Sequence, residues 1–198
     1  MDPKQLDLIE RELDEALVAY QNLSRDRQIA LQILELAGIC CAAIRNGGII
    51  FFAGNGGSFA DSQHMAAEFS GKLSRPRKPL ASIALGTNNS SMSAIGNDFG
   101  FVEVFARELE AYSNPNSVVI AFSTSGTSDN ILRLWEKSKE LGLTFRAFTG
   151  STHGKLDPAV AIRVPSLRTE RVQEMHTTLG HLLCLLIEEE LGIFGSNS

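Results

Sequence analysis

The sequence predicts an α/β protein built on a five-stranded parallel sheet, and three observations carry that prediction. Apolar runs of strand length recur from residue 48 onward, each separated from the next by a stretch of helix length. Strands joined by helical crossovers pair in parallel, with right-handed connections. Two strands lead straight into turns rich in glycine or serine, and in open α/β sheets ligands bind beyond the carboxyl ends of the strands.

Composition sets the outer limits. A chain of 198 residues suffices for one sizeable core and is short for two ordinary domains, so residues 1–198 read as a single domain. Hydrophobic content of 43% and charged content of 21% are ordinary for a globular protein. A net charge of −5 gives no footprint for nucleic acid. No apolar run reads as reaching the ~18 residues that span a bilayer, and the first ten residues do not read as a signal peptide. No membrane partner is therefore expected. Cys40, Cys41 and Cys184 lack metal-ligand spacing and read as inert core thiols of a reducing cytoplasm.

Residues 3–46 predict two helices. Leu6, Ile9, Leu13, Ala16, Leu17 and Tyr20 keep a helical period, Ser24-Arg25-Asp26 supplies a new cap, and Ile29, Ile33, Leu36, Cys40 and Ile44 form a second stripe. Their apolar faces exceed what one small sheet can cover. Residues 1–46 thus read as oligomerisation helices, and residues 47–192 as the α/β core. Strands are predicted at 49–53, 80–85, 117–122, 143–148 and 161–164. Helices fall near 58–72, 90–95, 101–112, 128–141 and 169–192.

The stretch 49–75 organises the rest. Its opening apolar run reads as a strand buried on both faces. Gly54-Asn55-Gly56-Gly57-Ser58 then turns into a helix, leaving backbone N–H groups free at a helix N-terminus, where the dipole also favours phosphate. Asn55, Gly56, Gly57 and Ser58 are the candidate contacts. Asp61, His64 and Glu68 follow at spacings of three and four, on one helix face. Plainer readings stand beside these. Ser58 can be a simple cap, and His64 with Glu68 a solvated pair. The turn is also a poor dinucleotide fingerprint, because Phe59 stands where a third glycine belongs.

A second loop, Ser123-Thr124-Ser125-Gly126-Thr127-Ser128, puts five hydroxyls into six positions between a strand and a helix. Such a loop donates to a phosphate without fixed positive charge. Ser123, Thr124, Ser125 and Ser128 join the binding candidates. Gly96-Asn97-Asp98-Phe99-Gly100 reads as a turn between helices, or, in a functional reading, as placing Asn97 or Asp98 on substrate hydroxyls. The last cluster runs from Arg171 through Gln173 and His176 to His181 on the final helix.

Taken together, AGNGGSFADSQHMAAEFSGK, AIGNDFGF, STSGTS and RVQEMHTTLGHLLC resemble the phosphoheptose isomerases of the sugar isomerase (SIS) domain superfamily. The resemblance runs from about residue 5 to residue 192, in the family's order. It implies a three-layer sandwich and the conversion of sedoheptulose 7-phosphate to D-glycero-D-manno-heptose 7-phosphate. A cytoplasmic homotetramer with one zinc ion per subunit is implied as well. Carried over by position, the general base falls on Glu68 and the general acid on His181. The metal ligands fall on His64, Glu68, Gln173 and His181. Phosphate contacts fall on Ser58, Ser123, Thr124, Ser125 and Ser128, and hydroxyl contacts on Asn55, Asp98 and Asp61.

Thr127, Asp129, Asn88-Asn89, Glu170 and His153 depart from the family's usual residues, and none is the acid or the base. Non-catalytic SIS regulators, and a related replication-initiator-binding adaptor, form the competing class. The adaptor lacks the glutamate and terminal histidine, whereas both Glu68 and His181 are present here. Spacing adds one expectation. Gln173 and His181 stand about 12 Å apart along a continuous helix and about 80° apart around it. One ion touching both therefore predicts an irregular lead-in at Gln173, or a site completed by a neighbouring subunit.

Overall fold

The computed structural model describes residues 3–74, 76–152 and 154–192, so His153 lies outside the described residues. The chain opens with α1 (Pro3–Arg25) and α2 (Arg27–Arg45). Asp26 caps α2 as expected, its carboxylate accepting the Gln28 and Ile29 N–H groups at 2.9 and 3.1 Å. The core then runs β1 (Ile50–Gly54), α3 (Gly57–Ser70), β2 (Ser82–Ala84), α4 (Asn89–Phe99), α5 (Val104–Tyr112) and β3 (Val118–Phe122). It ends with α6 (Asp129–Glu140), β4 (Thr144–Thr149), β5 (Ala161–Arg163) and α7 (Thr169–Glu190). All five strands are parallel, in the order β2-β1-β3-β4-β5.

Side chains alternate across this sheet, so each strand feeds two cores. Ile50, Phe52, Ile120, Phe122 and Phe148 face α2, α3 and α7. Phe51, Ala53, Val119, Ala121 and Ala147 face α5 and α6. The result is the expected three-layer sandwich. α3 and α7 share one face, which brings the candidate acid–base residues onto neighbouring helices.

The fold departs from expectation at α4 and at α2. Residues 96–99 are the last turn of α4, not a turn between helices, and Gly100 ends it with φ +89°. Met92 and Ile95 pack against the second core and hold this polar segment helical, an override of weak local propensity by packing. α2 is also long and apolar enough, by length and composition, to cross a membrane. Its only interior charge is Glu35, which hides it from a search for unbroken apolar runs. In this fold it is a packed helix that buries Ile29, Ile33, Leu36, Cys40 and Cys41. Burial pushes the Cys41 and Cys184 thiols up to about 12, in keeping with inert core cysteines.

α1 sits outermost. It buries only Ala19 and Leu23, and Tyr20 ties it to α7 through the Glu174 carbonyl at 3.2 Å and the Thr178 hydroxyl at 2.9 Å. Leu6, Ile9, Leu13 and Leu17 stay exposed along it.

Candidate active site

The chain leaves β1 for β2 on one side and returns to β3 on the other, so β1 and β3 mark the switch point of the sheet. Loops leaving adjacent strands diverge there and open a crevice. Asn55, Gly56, Gly57 and Ser58 after β1, with Phe122 at the end of β3 and Ser123, Thr124 and Ser128 beyond it, line a cavity of about 310 Å³. Thr169 and Gln173 of α7 close it. Among the described residues, no lysine or arginine lines this cavity.

Three helices begin at its wall, and none is capped by a side chain. α3 starts after Gly56, α6 after Ser128 and α7 after Arg168, each without a hydrogen bond from the cap residue's own side chain. By contrast Asp26 caps α2 and Asn88 caps α4. First-turn N–H groups of a helix need partners. Three N-termini without side-chain caps converging on one polar cavity are an arrangement that suits an anion. Ser58 is not the cap that its spacing allowed. It lies inside α3, buried, because Gly56 takes the cap position with φ +57°.

The other binding candidates are placed as follows. Asn55 exchanges two amide hydrogen bonds with Asn130, at 2.8 and 2.9 Å, which fixes its orientation. Ser123 Oγ accepts the Gly126 N–H at 3.2 Å. Ser125 is exposed, and its hydroxyl pairs with that of Thr127 at 2.8 Å. Gln173 lies against Gly57 so closely that a β-carbon there would come within 2.5 Å of its amide nitrogen. Asn97 and Asp98 are not brought to this cavity. They line a separate exposed groove along α4 with Asn89, Ser90 and Ser93.

Farther along α3 and α7 a second group forms. His64 Nε2 lies 3.2 Å from Glu68 Oε1 and 3.4 Å from His181 Nε2. One ligand atom from each of the three falls within 4.8 Å of the others. Donors sharing one tetrahedral ion at ordinary zinc distances lie about 3.3 Å apart, so this set fits a zinc-sized cation. Of the two expectations drawn from spacing, the irregular lead-in at Gln173 is corrected. α7 is unbroken from Thr169 to Glu190, so Gln173 is helical. Glu68 and His181 meet within one chain, because α3 and α7 pack side by side on one sheet face.

Electrostatics separate the neighbours by role. Burial pushes the Asp61 carboxyl up, against the opposing effects of a hydrogen bond from Thr177 at 2.9 Å and of nearby His64. Asp61 therefore faces α7 from the same stripe as His64. His176 is different. It packs between the Phe122 and Phe148 rings, with centroids 5.9 Å away, and burial pushes it down to about 4. It is a neutral core residue below the cavity floor.

Sequence reasoning missed Thr169, Asn130 and Thr177. Thr169 had a signal, as the first residue of a predicted helix. The other two emerge only when α6 and α7 are set against the β1 loop and α3.

The family model of the SIS domain matches residues 18–150 and places this parallel-sheet chain, with its switch-point cavity, in the SIS domain class. The phosphoheptose isomerase of Rhodospirillum rubrum is 45% identical over 161 residues, 80% of this chain and 86% of that protein. That of Aquifex aeolicus is 44% identical over 181 residues, 90% of this chain and 92% of that protein. Among solved structures, the phosphoheptose isomerase of Francisella tularensis superposes with a TM-score of 0.85 at 28% identity, covering 93% of this chain and 98% of its own. The enzyme from Neisseria gonorrhoeae gives 0.81 at 32% identity, with 93% and 99% covered. This chain belongs to the phosphoheptose isomerase family.

Proposed function

We propose that the chain isomerises the ketose sedoheptulose 7-phosphate to the aldose D-glycero-D-manno-heptose 7-phosphate, an aldose–ketose interconversion serving bacterial heptose biosynthesis. One observation carries the reading at the level of residues. The uncapped, cation-free cavity and the His64–Glu68–His181 group share the same two helices. Gly57 and His64 are about 10 Å apart along α3, a span suited to a sugar with phosphate at one end and the reacting carbons at the other. A protein that only bound sugar phosphate would need the first feature and not the second.

The chemistry follows from the residues. In the ketose the carbonyl is at C2, and the proton to be moved is on C1. Glu68 removes that proton and returns it to C2 from the same face of the enediol. His181 gives a proton to the C2 oxygen and takes one from the C1 hydroxyl, so no atom is gained or lost. A positioned acid or base of this kind contributes about 10²–10⁴-fold. The helix N-termini and the hydroxyls of Ser58, Ser123, Thr124, Ser125 and Ser128 hold the phosphate. Asn55 and Gln173 orient the chain of hydroxyls above it.

Zinc is the cation we assign to His64, Glu68 and His181, one per subunit. Gln173, the fourth donor implied by the resemblance, lies against Gly57 and about two turns from His181 on an unbroken α7. This chain's own Gln173 therefore does not reach that ion. When bound it would supply Lewis acidity toward the carbonyl, while coordination would lower the basicity of Glu68, so a structural role for the ion is the competing reading. Phosphorylated sugar substrates suit a cytoplasmic enzyme. A homotetramer is supported by the exposed Leu6, Ile9, Leu13, Leu17, Leu31 and Leu34 of α1 and α2. In that assembly Asn97 and Asp98, outside this chain's own cavity, serve the site of a neighbouring subunit. Incubation with sedoheptulose 7-phosphate, followed by NMR, is expected to show aldose formation. Its absence with added Zn²⁺, from protein that binds the ketose, overturns the reading.

A further inference from the structure

We propose that the buried Arg77–Glu188 pair is a positioning device that sets Glu68 against His181. The inference rests on the reading of Glu68 and His181 as the acid–base pair. α3 ends at Ser70 with no basic residue in its last turn, although the final carbonyls of a helix need donors. Arg77, from the loop beyond, supplies them. Its Nη2 donates to the Glu68 carbonyl at 2.6 Å, and its Nη1 donates to the carbonyls of Phe69 at 2.7 Å and Gly71 at 3.2 Å. Its Nε donates to Glu188 Oε1 on α7 at 2.7 Å. The side chains are 3% and 0% exposed.

Glu188 is equally occupied. Its second oxygen accepts the Ser74 hydroxyl at 2.8 Å, and its first also accepts the Leu73 N–H at 3.4 Å. A buried polar network with its members satisfied holds a single geometry. His181 and Glu188 are seven residues apart, two turns along nearly one face of α7. The guanidinium therefore joins the turn that projects Glu68 to the helix that projects His181. Stability alone does not account for the pair, since well-packed apolar residues replace buried ion pairs without loss. The planar fork does what they cannot: it fixes the end of α3 through its carbonyls.

The test is Arg77→Lys, which keeps a charge beside Glu188 and loses the fork. Supporting contacts of this kind typically affect activity or metal affinity by about 10–100-fold. We expect kcat for sedoheptulose 7-phosphate to fall at least ~10-fold with KM within about two-fold. We also expect metal-free protein to bind Co²⁺ at least ~10-fold more weakly, read from the visible d–d bands. The control is Leu134→Ala, in α6 on the opposite face of the sheet, which lowers Tm and leaves both readouts at wild type. An apolar double variant, Arg77→Met with Glu188→Leu, covers the case in which Arg77→Lys fails to fold. It is expected to fold cooperatively with low kcat and weak Co²⁺ binding. Wild-type kcat and Co²⁺ affinity in either folded variant overturn the proposal, as does a loss confined to Tm. If the wild-type protein does not turn over the ketose, the functional reading fails and the Co²⁺ titration alone decides this inference. Wild-type protein that neither turns over nor binds Co²⁺ overturns both.

Discussion

Gly180 of α7 stands against Met65 of α3 so closely that a β-carbon at position 180 would overlap the Met65 sulfur. Met65 is fully buried, so its side chain has little room to retreat. The contact sits one residue from His64 on one helix and one residue from His181 on the other. Gly180→Ala is expected to push the helices apart, at a cost of about 1–3 kcal/mol, and to lower kcat more than it raises KM. Adding Met65→Val should recover part of both losses, because neighbouring substitutions couple. Denaturant unfolding and steady-state kinetics check it, and simple additivity of the two changes would sink the packing argument.

Glu68→Gln is expected to abolish isomerisation, with a loss of about 10²–10⁴-fold, while the fold and ketose binding persist. The amide keeps the volume and hydrogen-bonding reach of the carboxylate and cannot accept the C1 proton. Calorimetric binding beside NMR turnover measures both halves. Turnover at the wild-type rate would move the base to Asp61, the other carboxylate on this face of α3.

The phosphate cavity carries no cation, so its hydroxyls matter individually. Ser123→Ala and Ser128→Ala are each expected to weaken binding of the phosphorylated ketose by about 10–100-fold, the range for a hydrogen bond to a charged group. Ser125→Ala belongs in the same series, since its hydroxyl must leave Thr127 to reach a ligand. Unphosphorylated sedoheptulose should be nearly indifferent to all three changes. Equal effects on both sugars would mean that the serines shape the loop and do not read phosphate.

Much of this architecture was legible because it is local. The strand runs around Phe51 and Val119 are apolar on both faces, and Asp26 announces α2 by cap chemistry alone. α4 was only partly legible. Asn89-Ser90-Ser91 is poor helix sequence, and Met92 and Ile95 rescue it through a core that the local pattern cannot show. The candidate site divides the same way. Glycine and hydroxyl loops mark the cavity, and spacing of four pairs His64 with Glu68. The approach of His181 to His64 spans 117 residues of chain, and Arg77 finds Glu188 across 111. No window of sequence contains either relation. The missing caps of α3, α6 and α7 also needed coordinates, since Ser58 and Ser128 both look like caps by spacing.

His176 gives a prediction about acid. Its imidazole is held neutral by burial, down at about 4, whereas in the unfolded chain it titrates at about 6.5. Between those values the unfolded chain binds the extra proton, so stability falls as pH falls from about 6.5 to about 4 and levels off below. Above about 6.5 the residue contributes no pH dependence. A displacement of this size corresponds to about 3 kcal/mol across the window. His176→Leu replaces the imidazole between Phe122 and Phe148 with an apolar side chain and removes that term. The measurement is Tm of both proteins from pH 7.5 to pH 4. Both lose stability in acid as carboxylates protonate, so the difference between the curves is the readout. That difference is expected to shift in favour of the leucine variant as pH drops below about 6.5. Parallel curves across the whole range would mean that His176 finds a proton acceptor in the folded protein, and that burial does not govern its charge.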